Sequence, residues 1–138
     1  MIGLDTNVIV RYLAQDDPVQ SAVAADIFER RLTVERPGFV SLVAMVETVW
    51  VLDRVYGLDA AGLVGVVERL LAADALVVEC EPEVYTAMEA VREGIGSFAD
   101  ALVAALGARA GCVHTLTFDR QALRLPGFQA AEAGRVSP

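Results

Sequence analysis

The chain has 138 residues, 55% of them hydrophobic, with 19 acidic residues, 11 arginines, no lysine and a formal net charge of −8. This length predicts a single domain, residues 1–138. No apolar run approaches the ~20 residues of a membrane span, and residues 1–5 lack the basic and apolar regions of a secretion signal, so we expect a cytoplasmic protein. The excess of apolar residues predicts a partner surface, commonly for a second copy of the chain.

Short β-like runs alternate with longer helical stretches, which is typical of βαβ units and a mostly parallel sheet of four to five strands. In chain order, the predicted elements are a strand at about 1–4, helices over 6–14 and 18–31, a strand at 38–41, a helix over 42–56, a helix from an Asp59 cap to about 73, a strand at 76–80, helices over 82–93 and 97–109, a strand at 112–117, a helical turn over 120–123 and a short strand near Phe128. Gly57, Gly94 and Gly111 are expected to end helices.

Four acidic residues follow predicted strands or lie in apolar helices. If strands one and four are neighbours at the point where strand order reverses, Asp5 and Asp119 emerge side by side at the carboxyl ends, where open α/β sheets bind ligands. Each also has a structural interpretation, because Asp5 and Asp119 can cap the helices that follow them, and Ser97 with Asp100 has the spacing of a capping box.

Glu47 does not have such an interpretation. It lies in the middle of a helix whose other residues, from Leu42 to Leu52, are apolar on nearly every side, which predicts a buried helix and a buried carboxylate. The helix after Asp100 is also apolar. Four carboxylates that converge without bases would repel one another, and Mg²⁺ or Mn²⁺ would relieve the repulsion through hard oxygen ligands.

These residues carry a resemblance to a known family. Leu4-Asp5-Thr6-Asn7, Val46-Glu47, Phe98-Ala99-Asp100-Ala101-Leu102 and Thr115-Leu116-Thr117-Phe118-Asp119 resemble, in order and spacing, the motifs of PIN domains, and among them the VapC-type toxin ribonucleases. The resemblance implies a three-layer α/β/α sandwich, a homodimer, RNA cleavage with one or two divalent ions, and a small antitoxin protein that silences the enzyme.

The chemistry of such a site assigns further residues. Asp5, Glu47, Asp100 and Asp119 are the expected catalytic metal ligands, direct or through water. Thr6 or Asn7 can donate to a carboxylate or a phosphate, and Thr117 can orient Asp119, although turn stabilisation explains all three equally well. Arg11 and Arg120 can clamp a phosphate, or can be solvated surface residues.

Several alternatives stay open or recede. Receiver domains and haloacid-dehalogenase-like phosphatases also place an aspartate after strand one, but both normally use a lysine, which this chain lacks. Residues 94–99 match the letters of a dinucleotide-binding fingerprint, but they follow a helix rather than a strand. Cys80 and Cys112 are expected to be small buried residues. The remaining alternatives to a toxin are a PIN-like interaction module without significant catalysis and a housekeeping RNA-processing nuclease.

Overall fold

The structure is a computed structural model that describes residues 1–134. The backbone divides into two compact units, the first formed by Met1–Glu81 and the second beginning at Pro82. Each unit is described separately below. That residues 1–138 form a single domain stays a prediction, and its last four positions lie outside the described residues.

The first unit contains three strands, four α-helices and one π-helical turn. In chain order these are β1 (Ile2–Gly3), α1 (Thr6–Ala14), α2 (Pro18–Asp26), a π-helical turn (Ile27–Arg31), β2 (Gly38–Val40), α3 (Leu42–Arg54), α4 (Ala60–Ala72) and β3 (Leu76–Val78). The strands pair in the order β1-β2-β3 and both pairs are parallel. Their three carboxyl ends therefore lie along one edge of the sheet.

Side-chain caps determine where the helices of the first unit begin. The carboxylate of Asp17 accepts hydrogen bonds from the backbone of Val19 and Gln20, Ser41 accepts from Ala44, and Asp59 accepts from Gly62. These bonds satisfy backbone N–H groups that have no partner within the helix. The predicted Asp59 cap is confirmed, and the helices after Asp17 and Ser41 begin at the predicted residues, Pro18 and Leu42.

The core of the first unit is aliphatic, and its fully buried residues include Ile9, Val40, Met45 and Val67. Gly38 lies where a Cβ atom would come within 2.8 Å of the Leu4 and Leu32 side chains. The β2 backbone can therefore approach these leucines only because residue 38 has no side chain.

The second unit contains two long helices and two short strands. They are α5 (Glu81–Glu93), α6 (Phe98–Arg109), β4 (Thr115–Thr117), a 3₁₀ turn (Ala122–Arg124) and β5 (Phe128–Ala130). β4 and β5 are parallel, with Thr115 opposite Phe128. Gly94 and Gly111 follow the two helices at φ +72° and +95°, which agrees with their predicted role as helix-ending residues.

The α/β class and the parallel pairing of the strands are confirmed. Within residues 1–134 the first unit contains a parallel three-stranded sheet, in which β1 is hydrogen-bonded to β2, and the second unit contains a parallel two-stranded sheet. That β1 lies beside β4 stays a prediction.

Cys112 corrects a smaller prediction. It is exposed rather than buried, because strand β4 begins only at Thr115 and Cys112 follows the turn that ends α6. Cys80 is partly exposed, and neither cysteine forms a disulfide. None of the helices within residues 1–134 has both the length and the apolar character needed to cross a membrane.

Candidate functional site

Asp5 connects β1 to α1. Leu4 donates a backbone hydrogen bond to Phe39 of β2 at 3.0 Å, and this contact places Asp5 at the carboxyl end of β1. The Asp5 side chain is exposed, and its Oδ1 atom accepts from the backbone N–H of Thr6 at 2.8 Å. Asp5 is therefore the N-cap of α1, as its structural interpretation predicts. One cap bond leaves the remaining oxygen lone pairs of its carboxylate available to a ligand.

Glu47 lies on α3, and the expectation that its side chain is buried is wrong. It is exposed, on a stripe of α3 that also exposes Val43 (70%) and Trp50 (58%). The opposite face of α3, with Met45, Val49 and Leu52, packs into the core. Apolar residues occupy both the buried and the exposed face of α3, so the composition of the helix does not show which face is buried.

Thr6 joins Glu47 to Asp5. Its backbone N–H donates to Asp5, and its hydroxyl donates to the Oε1 atom of Glu47 at 3.3 Å. Two carboxylates that are 42 residues apart in the chain are thus both held by one residue at the start of α1. The expectation that Thr6 donates to a candidate carboxylate agrees with this geometry.

Asp100 lies in the first turn of α6, in the second unit. Its backbone N–H donates to the Ser97 hydroxyl at 3.1 Å, which is the cap predicted from their spacing. The Asp100 side chain is half-buried, and a negative charge at this end of a helix is favoured by the helix dipole.

Asp119 follows β4 and is exposed. Its backbone N–H donates to the Thr117 hydroxyl at 3.0 Å, and its Oδ1 atom accepts from the backbone of Gln121 at 2.8 Å. Thr117 therefore contacts Asp119 as predicted, through the backbone of Asp119 rather than through its carboxylate. Asp100 and Asp119 are each held by local hydrogen bonds of the second unit.

Arg11 is engaged in a network that the sequence did not indicate. Its guanidinium donates to Gln20 at 2.8 Å and to the Tyr56 hydroxyl at 3.3 Å, and lies 3.6 Å from a carboxylate oxygen of Asp16. The Tyr56 hydroxyl donates in turn to Asp16 at 2.5 Å. This hydrogen bond lowers the pKa of Asp16 and raises the pKa of Tyr56. Arg11 thus has a structural task that competes with phosphate binding.

Three other polar residues lie at the ends of strands and helices, two of them predicted as site residues and one not. Asn7 is exposed at the rim of a groove between α1 and α2, and Arg120 is exposed beside Asp119. Glu79, which was not predicted as a site residue, follows β3 and accepts a hydrogen bond from the backbone of Leu42 at 2.8 Å. Its position directly after a strand is the signal by which the sequence could have indicated Glu79 as a site residue. In the structure the Glu79 carboxylate caps the start of α3.

The chemistry of the four predicted acids fits a divalent cation. Some acids elsewhere in the described chain, such as Asp16, Asp26 and Glu83, form ion pairs with arginines. Within residues 1–134, no arginine pairs with any of the four candidates, so none of these carboxylates is already neutralised by an ion pair. Mg²⁺ is commonly held by one or two carboxylates together with waters and substrate phosphates, which suits the arrangement of Asp5 and Glu47.

A larger group is not seen in the described part of the chain, where no three histidine, cysteine, aspartate or glutamate side chains are arranged to hold a metal ion. The structure joins Asp5 and Glu47 through Thr6. That all four acids form one site stays a prediction.

A parallel α/β protein with acidic residues at the carboxyl ends of β1 and β4 belongs to the class whose ligands bind at the strand ends. The family comparison is more specific: the model of the PIN domain matches residues 2–127, and the chain belongs to the PIN domain family. PIN domains are generally nucleases. A comparison with curated proteins finds no match.

Proposed function

We propose that this protein is a metal-dependent endoribonuclease of the VapC type, the toxin of a toxin–antitoxin pair. The observation that carries the proposal is the pair of exposed carboxylates, Asp5 and Glu47, held by the backbone N–H and the hydroxyl of Thr6. Neither acid is neutralised by an arginine within residues 1–134, so the pair is electrostatically suited to a cation. Because the chain belongs to a family of nucleases, phosphodiester hydrolysis is the reaction that we propose for this cation site.

In the proposed site, Asp5 and Glu47 hold Mg²⁺ or Mn²⁺ through carboxylate oxygens, and Asp100 and Asp119 contribute directly or through water. When bound, such an ion supplies an activated water and neutralises charge at the phosphorus during phosphodiester hydrolysis. Thr6 keeps one oxygen of each carboxylate occupied and so orients the others toward the ligand. Arg120, exposed beside Asp119, is the arginine that we propose for contact with the RNA backbone.

The groove between α1 and α2 supports the proposed antitoxin. It has a volume of about 300 Å³ and exposes the apolar side chains of Val19 (75%) and Val23 (55%) on α2. Exposed valines in a groove suit an apolar segment of a partner. We propose that the antitoxin covers this groove.

Exposed apolar side chains support the proposed homodimer. Val34 (67%), Val55 (67%) and Val113 (74%) are each more than half exposed. Exposed apolar side chains are typical of a surface that packs against a second copy. The proposal places the dimer and its antitoxin in the cytoplasm, where both would meet RNA.

The first experiment is RNA cleavage by the purified full-length protein, free of partner, over a panel of structured RNAs with Mg²⁺ or Mn²⁺ and with EDTA. Asp5→Asn and Glu47→Gln are the test variants. Asparagine is as good an N-cap as aspartate, and glutamine can still accept from Thr6, so both variants should fold. The matched controls are Asp74→Asn and Glu35→Gln, which change exposed acids of the same unit outside the site.

We expect each test variant to lose more than about 100-fold in cleavage rate, above the 10–100-fold typical for an outer-shell partner of a metal ligand. Each control should retain the wild-type rate. EDTA should abolish cutting, and Mn²⁺ should restore it. Cutting that survives both EDTA and Asp5→Asn would contradict the metal nuclease.

Metal binding can be measured without any RNA. If Mn²⁺ is bound by the folded protein alone, a concentration 100 times its Kd should stabilise the protein by about 2.7 kcal/mol. The shift in Tm should vanish in Glu47→Gln and persist in Glu35→Gln. A folded protein with no shift and no cleavage would favour the interaction module over the nuclease. Cleavage without growth inhibition in cells that lack the antitoxin would favour a housekeeping nuclease.

A further inference from the structure

Phe118 is the most exposed of the large hydrophobic side chains in the described chain. Its exposed fraction is 90%, although it lies between Thr117 and Asp119, which both belong to the candidate site. The proposed catalytic chemistry does not use it. An aromatic ring left in water beside a candidate metal ligand therefore needs a separate explanation.

The backbone on both sides of Phe118 is held in place. Before it, the carbonyl of Thr117 accepts from the backbone of Ala131 at 2.9 Å, and the Thr117 hydroxyl accepts from the Asp119 backbone at 3.0 Å. After it, the Asp119 carboxylate accepts from Gln121 at 2.8 Å. The ring is thus presented from a fixed turn, which lowers the entropy lost when a ligand packs on it.

We propose that Phe118 is a stacking platform for an unpaired nucleobase next to the scissile phosphate of the RNA substrate. The inference rests on the proposed function, which places Asp119 at the reacting phosphate. A base attached to a neighbouring nucleotide is then the group nearest to the side chain that precedes Asp119. Sequence-specific RNA recognition mostly uses splayed-out bases that stack on aromatic side chains.

Charge makes a base contact more useful here than in a basic nuclease. The chain carries −8 overall, and several arginines, Arg11, Arg54 and Arg109 among them, are paired with acids. The net negative charge of the molecule therefore repels the RNA backbone. Stacking does not depend on charge, so it can supply affinity that the molecular field cannot.

The immediate chain neighbours of Phe118 favour RNA over a protein partner. Thr117 is polar, while Asp119 and Arg120 are charged and exposed. A docking surface for an apolar protein segment is normally a contiguous patch. Leu116, two residues earlier on β4, is 42% exposed and provides the test for such a patch.

The test measures binding of a fluorescein-labelled oligoribonucleotide that contains a site cut by the wild-type protein. All proteins carry Asp5→Asn, so that the RNA stays intact. Phe118→Ala should weaken binding by roughly 5- to 150-fold, the range expected for loss of one base–aromatic stack. Phe118→Trp should restore binding, and Tyr85→Ala, which removes an exposed aromatic of α5, should leave it unchanged.

An abasic scan identifies the contact itself. In RNA with one base removed at the contacted position, Phe118→Ala should cost nothing further, while at other positions its effect should persist in full. The loss should also be nearly independent of salt, whereas Arg120→Ala should reduce the salt dependence of binding.

Four results would overturn the inference. Equal losses from Phe118→Ala on every abasic RNA would exclude stacking on a particular base. Losses from Leu116→Ala that match those from Phe118→Ala, together with a smaller oligomer in solution, would assign the surface to a protein interface. Unchanged affinity on Phe118→Ala, for an RNA that the wild-type protein cuts with Mn²⁺, would remove this inference and leave the proposed function standing. A wild-type protein that cuts none of the RNAs would remove both.

Discussion

Thr48 offers a test of the packing of α3 with an unusual expected sign. Its side chain is fully buried, and its hydroxyl oxygen has no hydrogen-bond partner within residues 1–134. A buried polar group without a partner costs about 1–3 kcal/mol in desolvation. Thr48→Val replaces the hydroxyl with a methyl group of similar shape and leaves the helix propensity nearly unchanged. We therefore expect a substitution in the core to stabilise the protein.

The magnitude follows from these quantities. Most of the desolvation penalty is recovered, so the free energy of unfolding should rise by about 1–2 kcal/mol. With an unfolding entropy near 2.1 cal/mol/K per residue over this length, the Tm should rise by about 3–7 °C. Urea unfolding should show the same gain as a higher midpoint with an unchanged m-value. Cleavage should be unaffected, because Thr48 faces the core while Glu47 faces solvent.

The control is Thr48→Ser, which keeps the hydroxyl and removes the methyl group. It should lower stability by about 1 kcal/mol through lost packing. If Thr48→Val instead lowers the urea midpoint, the hydroxyl has a favourable partner such as a buried water, and the reasoning from an unsatisfied oxygen is refuted.

Two further substitutions test the second unit and the network around Tyr56. Gly96→Ala should lower stability by about 1–3 kcal/mol in urea unfolding, because overpacking is costly and the new Cβ would lie 2.5–2.8 Å from three carbons of the buried Leu125. Gly65→Ala, on α4 with nothing within 4 Å, should instead stabilise by up to about 1 kcal/mol; equal effects of the two would contradict the contact. Tyr56→Phe should lower stability at neutral pH, because the Tyr56 hydrogen bond holds the pKa of Asp16 down and that of Tyr56 up. The lowered pKa of Asp16 contributes folding stability that is fully present above the unfolded-state pKa and is lost as the pH falls through the folded-state pKa. The raised pKa of Tyr56 contributes stability that is present below its unfolded-state pKa and is lost as the pH rises through its folded-state pKa. The difference in urea midpoint between wild type and Tyr56→Phe should therefore become smaller at acidic and at alkaline pH. A difference that does not change with pH would count against the Asp16 contact.

Helix boundaries were predictable from the sequence because the groups that set them are local. Asp17, Ser41, Asp59 and Ser97 begin helices within a residue of the predicted positions, since a cap and its N–H partner lie two or three residues apart. The π-helical turn at Ile27–Arg31 was predicted as ordinary helix. Its five-residue hydrogen bond, from Leu32 to Ile27, leaves no pattern in residue type.

Strand pairing and helix orientation were less predictable because they depend on distant residues. Which strand β1 pairs with depends on which backbone groups meet, and strands of two or three residues carry little pattern to decide it. Which side of α3 is buried depends on what packs against it, so Glu47 was assigned to the wrong environment. The position of Glu47 beside Thr6 is likewise a tertiary contact over 41 residues, and only the residue types indicated it.

The exposure of Glu47 changes the argument for a cation without weakening it. A buried carboxylate would have needed a cation or a hydrogen-bond donor to offset its desolvation. The exposed carboxylates of Asp5 and Glu47 are solvated by water and need no such partner for folding. They do, however, add negative charge where a nuclease must receive a polyanion, in a chain that is already at −8. RNA binding at these acids is therefore unfavourable unless a cation binds as well. Bound cation would then raise the affinity for RNA, and by thermodynamic linkage bound RNA would raise the affinity for the cation by the same factor. The site would then be stable when empty and competent for RNA only when loaded, and the strength of this coupling can be read from RNA affinity across a Mn²⁺ titration of wild type and Glu47→Gln.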